Sequence, residues 1–187
     1  MSNYPQGGGL SNDPVVQFLQ RALSGFGYNF YNTKEQARSD DLLVRARASG
    51  FLSDAANCLM TLAGDYQMRH IPPLTREHPD PPREALAAVQ EIRTLQQEVA
   101  DLEGRVRGMA VPTADRIWGR FRAELTILRQ LLQFDLDLVR GSEAIYQQAS
   151  SASVDTWIGA SAQEFRGMLR HLNQIALARE QFLRMPV

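Results

Sequence analysis

Residues 85–109 carry a strict heptad pattern of apolar side chains, and this pattern constrains the fold more than any other feature of the sequence. The pattern is that of an α-helix with one narrow apolar stripe, as in a left-handed coiled coil. Such a stripe has to be covered by another helix, so the chain is expected to form a helical bundle. The apolar residues recur in alternating steps of three and four: Ala85, Ala88, Ile92, Leu95, Val99, Leu102, Val106 and Met109.

The rest of the sequence supplies further helices. A short amphipathic helix is predicted after Asn12 or Asp13, with Pro14 in its first turn, where the missing N–H costs nothing. Long helices are predicted over residues 33–69, 83–108, 113–148 and 158–183. The predicted fold is therefore all-α: four long helices in an antiparallel bundle, with a short N-terminal helix and a coiled-coil-like hairpin.

The sequence divides at a run of prolines. Residues 1–11 are predicted to be a flexible tail, and residues 12–70 a short helix, an aromatic loop and the first long helix. Residues 71–83 contain five prolines and are predicted to be a stiff linker. Residues 84–187 complete the bundle, and the whole chain is predicted to be one domain.

Two partners compete for the heptad stripe. A parallel homodimer suits the β-branched and leucine positions, but it would bring Glu98 against Glu103 of the other chain. The short turn at residues 109–112 instead favours an antiparallel hairpin with helix 113–148. That helix is apolar over much of its circumference, which is typical of a helix buried by several neighbours. We expect the intramolecular hairpin, with oligomerisation as the alternative.

Composition limits the environment. The net charge of −1 gives no general attraction to nucleic acid or to an anionic membrane. Cys58 is the only cysteine, which fits a reducing compartment. Neither a membrane-spanning run nor a secretion signal is recognisable, so we expect a cytoplasmic protein, with signal-less secretion as the alternative.

The sequence contains no recognisable catalytic, metal or cofactor motif. A di-iron bundle needs Glu-x-x-His pairs, and none of the three histidines has a glutamate three residues before it. One cysteine and three scattered histidines lack zinc-ligand spacing, and neither a G-x-S-x-G motif nor a P-loop is present. We expect a protein that is not an enzyme and binds no cofactor; an enzyme with a site near Asp135 is the last alternative.

Asp135 is a candidate buried polar residue. Its helical neighbours at steps of three and four are Leu131, Leu132, Leu138 and Val139. An unpaired carboxylate on such a surface would be costly to bury. We therefore expect an arginine from a neighbouring helix to pair with it.

A second candidate site is a cluster of arginines around the predicted turn at residues 109–112. A hairpin of helices 83–108 and 113–148 would gather them at one end, where they could contact an anion or an acidic partner. This cluster supports the alternative of a nucleic-acid-associated subunit. Its members are Arg105, Arg107, Arg116, Arg120 and Arg122.

The segment Trp157-Ile-Gly-Ala-Ser-Ala-Gln-Glu-Phe165 resembles the Trp-x-Gly signature of the WXG-type small secreted helical hairpins. The resemblance covers about nine residues, and the chain is nearly twice as long as is usual in that family. The resemblance implies a bend between two helices at Trp157 and Gly159, with Ala162 and Phe165 on the second helix. It also implies an exported protein as an alternative function.

The function expected from these features is that of a non-enzymatic helical interaction or structural subunit of a larger protein assembly. Its partner would be another protein or a second copy of the chain. The wide apolar surface of helix 113–148 and the heptad stripe of residues 85–109 favour this hypothesis.

Overall fold

The computed structural model describes residues 11–24, 34–73, 80–110, 125–157 and 159–184. These residues form five helices and no strand, so the all-α prediction is confirmed. None of the described helices combines the length and the apolar character needed to cross a bilayer. The helices are α1 (Pro14–Leu23), α2 (Lys34–His70), α3 (Arg83–Arg107), α4 (Leu125–Ser151) and α5 (Gly159–Arg184).

The four long helices pack as the corners of a square. α2 packs along α3 and α4, and α5 packs against α4 and α3, so α3 and α4 stand at opposite corners. α2 and α3 run antiparallel, because Arg45 near the start of α2 reaches the carbonyl oxygen of Arg107 at the end of α3. α2 and α4 run in the same direction. Arg179 of α5 bridges residue 41 of α2 and residue 135 of α4, and Phe51 stacks on Tyr146 further along both helices.

The heptad stripe of α3 is buried within the chain, but its partner is not the predicted one. Ile92, Leu95 and Val99 are fully buried, and α3 packs against α2 and α5. The prediction of a hairpin between α3 and helix 113–148 is wrong over Leu125–Ser151, because α3 does not pack along that stretch. Residues 113–124 lie outside the described part of the chain.

There is a physical reason why α3 packs against α2 and α5 and not against α4. A connection limits the distance between two helix ends, but it does not decide which pair of helices buries more apolar surface side by side. α4 is apolar on several sides and is covered by α1, α2 and α5. The narrow apolar stripe of α3 can be buried by α2 and α5 alone.

α1 packs over the groove between α2 and α4. Val15, Val16 and Leu19 are buried there. Asp13 caps the helix, since its carboxylate accepts hydrogen bonds from the backbone N–H groups of Val15 and Val16 at 3.0 and 3.2 Å.

Two further polar contacts fix the start of α1. Arg47 of α2 donates from Nε to Asp13 Oδ2 at 2.5 Å, and the hydroxyl of Ser11 donates to the carboxylate of Glu143 on α4 at 2.8 Å. The start of α1 is therefore held by both helices that form the groove.

Replacement of Asp13 by alanine should lower the free energy of unfolding by about 1–2 kcal/mol, because the helix cap and the contact to Arg47 are both lost. Urea denaturation followed by circular dichroism measures this change. Asp101→Ala is the control: Asp101 is exposed on α3 and accepts a hydrogen bond from Gln97, so its loss should cost less than about 0.5 kcal/mol. Equal effects of the two variants would contradict the role given to Asp13.

Candidate functional site

Three helices place charged side chains together in the core. Asp41 of α2, Asp135 of α4 and Arg179 of α5 are all 0% exposed. Arg179 donates from Nε to Asp135 Oδ1 at 2.7 Å and from Nη2 to Asp41 Oδ1 at 2.6 Å. One guanidinium thus bridges two buried carboxylates.

Arg45 of α2 connects these three residues to α3, the remaining long helix. Arg45 donates from Nε to Asp41 Oδ2 at 2.7 Å. Its Nη1 donates to the carbonyl oxygens of Arg107 and Met109, at 2.7 and 3.3 Å, where α3 ends. Carbonyl groups at a helix C-terminus have no partner within the helix, so an arginine donor satisfies them. We call Asp41, Arg45, Asp135 and Arg179 the ion cluster.

The sequence predicted that an arginine of a neighbouring helix pairs with Asp135, and Arg179 is that arginine. Sequence reasoning did not identify Arg179 or Asp41, although a signal for both exists. Arg179 lies three residues after Ala176 and four residues before Leu183, within the apolar stripe of α5. Asp41 lies three residues before Val44, in line with the apolar stripe of α2. A charged residue in such a position is either buried with a partner or marks the end of the stripe, and only the fold decides between these outcomes.

The ion cluster has the composition of a structural network. Each of its two buried carboxylates accepts a charge-assisted hydrogen bond from the guanidinium of Arg179, so the buried charges compensate one another. Neither of the two described grooves is lined by a residue of the ion cluster. One is lined by residues 57–69 and 149–155, and the other by residues 98–105 and 169–173. Among the described residues, no group of three His, Cys, Asp or Glu side chains could hold a metal ion.

The predicted arginine cluster is only partly within the described residues. Arg105 donates from Nη1 to Asn173 Oδ1 of α5 at 2.6 Å. Arg107 pairs with Glu103 one turn earlier on α3, at 2.5 Å. The other three members, Arg116, Arg120 and Arg122, lie outside the described part of the chain. Both described arginines thus have partners within the protein.

The segment that resembles the Trp-x-Gly signature lies where α4 gives way to α5. Trp157 is buried just before α5, which starts at Gly159, and Ala162 and Phe165 are buried on α5. A buried tryptophan at such a turn also seals the end of an ordinary bundle, so this geometry is equally compatible with proteins that are not exported.

A groove of about 770 Å³ lies between the second half of α2 and the end of α4. We call it the open groove. Its α2 side is formed by Asn57, Cys58, Thr61, Leu62, Asp65, Met68 and Arg69. Its other side is formed by Ala149 and Ser150 of α4 and by residues 152–155.

The open groove combines an apolar floor with polar edges. Leu62 and Ala149 are buried at its base, whereas Met68 is 78% exposed at its rim. Across the groove, Arg69 pairs with Asp155 at 2.5 Å. The lone cysteine, Cys58, is half-buried in the wall. Such a surface suits the apolar face of a peptide segment better than a small polar substrate.

Asp137 of α4 has a perturbed titration. Partial burial raises the pKa of its carboxyl above the ordinary value of 3.8. A hydrogen bond from Gln133 Nε2 at 2.9 Å and the positive charges of Arg140 and His171 oppose this rise without cancelling it. The ionised form is therefore less favourable in the folded protein than in the unfolded chain.

Comparison of the chain with protein-family models, with curated proteins and with solved structures gives no match.

Replacement of Arg179 by methionine should lower the free energy of unfolding by about 3–5 kcal/mol, because it strands two buried carboxylates. Adding Asp135→Leu to this variant should restore part of the loss, since it removes one stranded charge. Arg184→Met on the same helix, where the arginine is exposed and pairs with Glu180, should change stability by less than about 1 kcal/mol. Chemical denaturation measures all three; equal losses for Arg179→Met and Arg184→Met would contradict the ion cluster.

Asp137→Asn should make the protein more stable at neutral pH and have less effect at pH values well below the ordinary aspartate pKa. The sign follows from the raised pKa: the folded state favours the protonated carboxyl, so the stability linked to this group is present at low pH and is lost as the pH rises through the folded-state pKa. Asparagine mimics the protonated form at every pH. Urea midpoints measured from acidic to neutral pH test this; a variant that is less stable at neutral pH would contradict it.

Proposed function

We propose that this protein is a non-enzymatic interaction subunit of a larger protein assembly, and that it engages its partner through the open groove. The supporting observation is that α2, the last turn of α4 and residues 152–155 form a groove with an apolar floor that the described residues leave uncovered. A groove with an apolar floor and polar edges is a common form of peptide-binding site.

The open groove and the separate site of α1 on α2 and α4 both present apolar surface. The site of α1 takes up the apolar side chains of Val15, Val16 and Leu19, with the Asp13–Arg47 ion pair at its edge. In the open groove, Leu62 and Ala149 lie at the base. Apolar surface of this kind gains free energy when it is covered, by roughly 25 cal/mol for each Å² removed from water.

Two threonines provide a matched test. Thr61 lies in the wall of the open groove and Thr94 on α3; both are exposed, and each donates its hydroxyl to the backbone carbonyl four residues earlier, at 3.1 and 2.9 Å. Replacement of either by arginine removes the same local hydrogen bond, but only Thr61→Arg puts a long side chain into the groove.

The expected result is that affinity-tagged wild-type protein and the Thr94→Arg variant recover the same partner from source cells, whereas Thr61→Arg recovers much less of it. Quantitative mass spectrometry of the recovered proteins, with light scattering of the purified protein to detect self-association, measures this. A strictly monomeric protein that recovers no partner above the level of an untagged control would contradict the proposed function. A partner recovered equally by all three forms would keep the interaction role and exclude the open groove as its site.

A further inference from the structure

We propose that α1 is a lid on the four-helix body formed by α2–α5. The lid opens as a unit while this body stays folded, and its opening uncovers an apolar surface of α2 and α4. We call this surface the α1 site. The inference goes beyond the proposed function and does not depend on the open groove. It is carried by the small size of α1, by the position of its contacts, and by the interactions that join α2–α5.

α1 is attached to the body through few side chains. It has ten residues, whereas the other four helices have 25 to 37. Val15, Val16 and Leu19 are its buried residues, and Phe18 between them is exposed. A helix of ten residues is marginal in water by itself, so its structure depends on packing against α2 and α4. We therefore expect α1 to lose its helical structure when it leaves the α1 site.

The interactions that join α2–α5 are made by those helices themselves. Arg179 bridges Asp41 and Asp135, and Arg45 connects Asp41 to the end of α3. The heptad stripe of α3 is buried against α2 and α5. Departure of α1 leaves these interactions in place. Proteins open in local cooperative units at a lower free energy than global unfolding requires, and α1 meets the conditions for such a unit.

The polar contacts of α1 to the body lie at its start. The hydroxyl of Ser11 lies 2.8 and 3.0 Å from the two carboxylate oxygens of Glu143, and Arg47 donates to Asp13 at 2.5 Å. The side chain of Arg47 is 43% exposed, so water competes for this ion pair. The last two residues of α1 are only partly buried. The attachment is thus concentrated in one half of the helix, and its release frees the whole of α1.

The chain between α1 and α2 is long enough for the lid to open. Ten residues separate Leu23, the end of α1, from Lys34, the start of α2. Ten residues span roughly 33–36 Å when fully extended, which is more than twice the length of α1 at about 1.5 Å per residue. α1 can therefore leave its site without displacing α2.

Hydrogen exchange of the full-length protein tests whether α1 opens separately. The amides of residues 17–23 should exchange at least about tenfold faster than those of Ile92, Leu95 and Val99 in α3. Low concentrations of urea should speed exchange in α3 and leave exchange in α1 nearly unchanged, because opening of one short helix exposes little surface. Equal rates with equal urea dependence in the two helices would show that α1 unfolds only together with the body, and would overturn the inference.

Two buried valines provide a matched pair of variants. Val16 of α1 and Val99 of α3 are both 0% exposed, so aspartate at either position puts an unpaired carboxylate into an apolar site. Val16→Asp should abolish the exchange protection of residues 17–23 and leave a body that still unfolds cooperatively in urea. Val99→Asp should lower the urea midpoint much further or prevent folding, because it disrupts the stripe that joins α3 to α2 and α5.

A fluorescent dye that binds exposed apolar surface, anilinonaphthalene sulfonate, reports whether the α1 site is uncovered. Its fluorescence should be higher with Val16→Asp than with the wild-type protein while the cooperative unfolding of the body is retained. A Val16→Asp protein without a cooperatively folded body would contradict the lid, and so would one that binds no more dye than the wild type. Neither result is read from partner recovery or light scattering, so failure of the lid and failure of the proposed function are distinguishable.

Discussion

One buried guanidinium between two carboxylates connects the helices at one end of this bundle. Arg179 of α5 bridges Asp41 of α2 and Asp135 of α4, and Arg45 extends the contacts to the end of α3. Removing such charges from water costs several kcal/mol per ion, and only well-aligned partners offset this cost. A helix displaced by one turn would leave charges buried without partners. We infer that the ion cluster fixes which helices are neighbours and in what register, a specificity that apolar packing enforces less strictly.

The two ends of the α2–α4 pair are built differently. Towards the start of α2, the space between these helices is closed by α1 and by the ion cluster. Towards the end of α2, the open groove with its apolar base is lined by α2, by the last turn of α4 and by residues 152–155. A surface of this kind can remain open only if the rest of the bundle is stable without it. The ion cluster and the heptad stripe of α3 provide that stability, and the open groove is left for the proposed partner.

The sequence predicted much of the fold, because helical periodicity and end signals are local. The Asp13-Pro14 start of α1 and the burial of the α3 stripe could be read directly from residue spacing. The need of Asp135 for a partner could also be read, since its neighbours along the helix are apolar. The pairing of α3 with α2 and α5 could not, because several helices offered suitable apolar faces and a turn does not select among them.

The sequence by itself determined that this chain folds into helices, where most of them begin and end, and which of their faces are apolar. These properties depend on residues within a few positions of one another. Only the tertiary structure decided that Arg179 meets Asp41 and Asp135 and that α2, the end of α4 and residues 152–155 enclose a groove that the described residues leave uncovered. Such contacts join residues far apart in the chain, and they follow from how the apolar faces and buried charges of all the helices are satisfied at once.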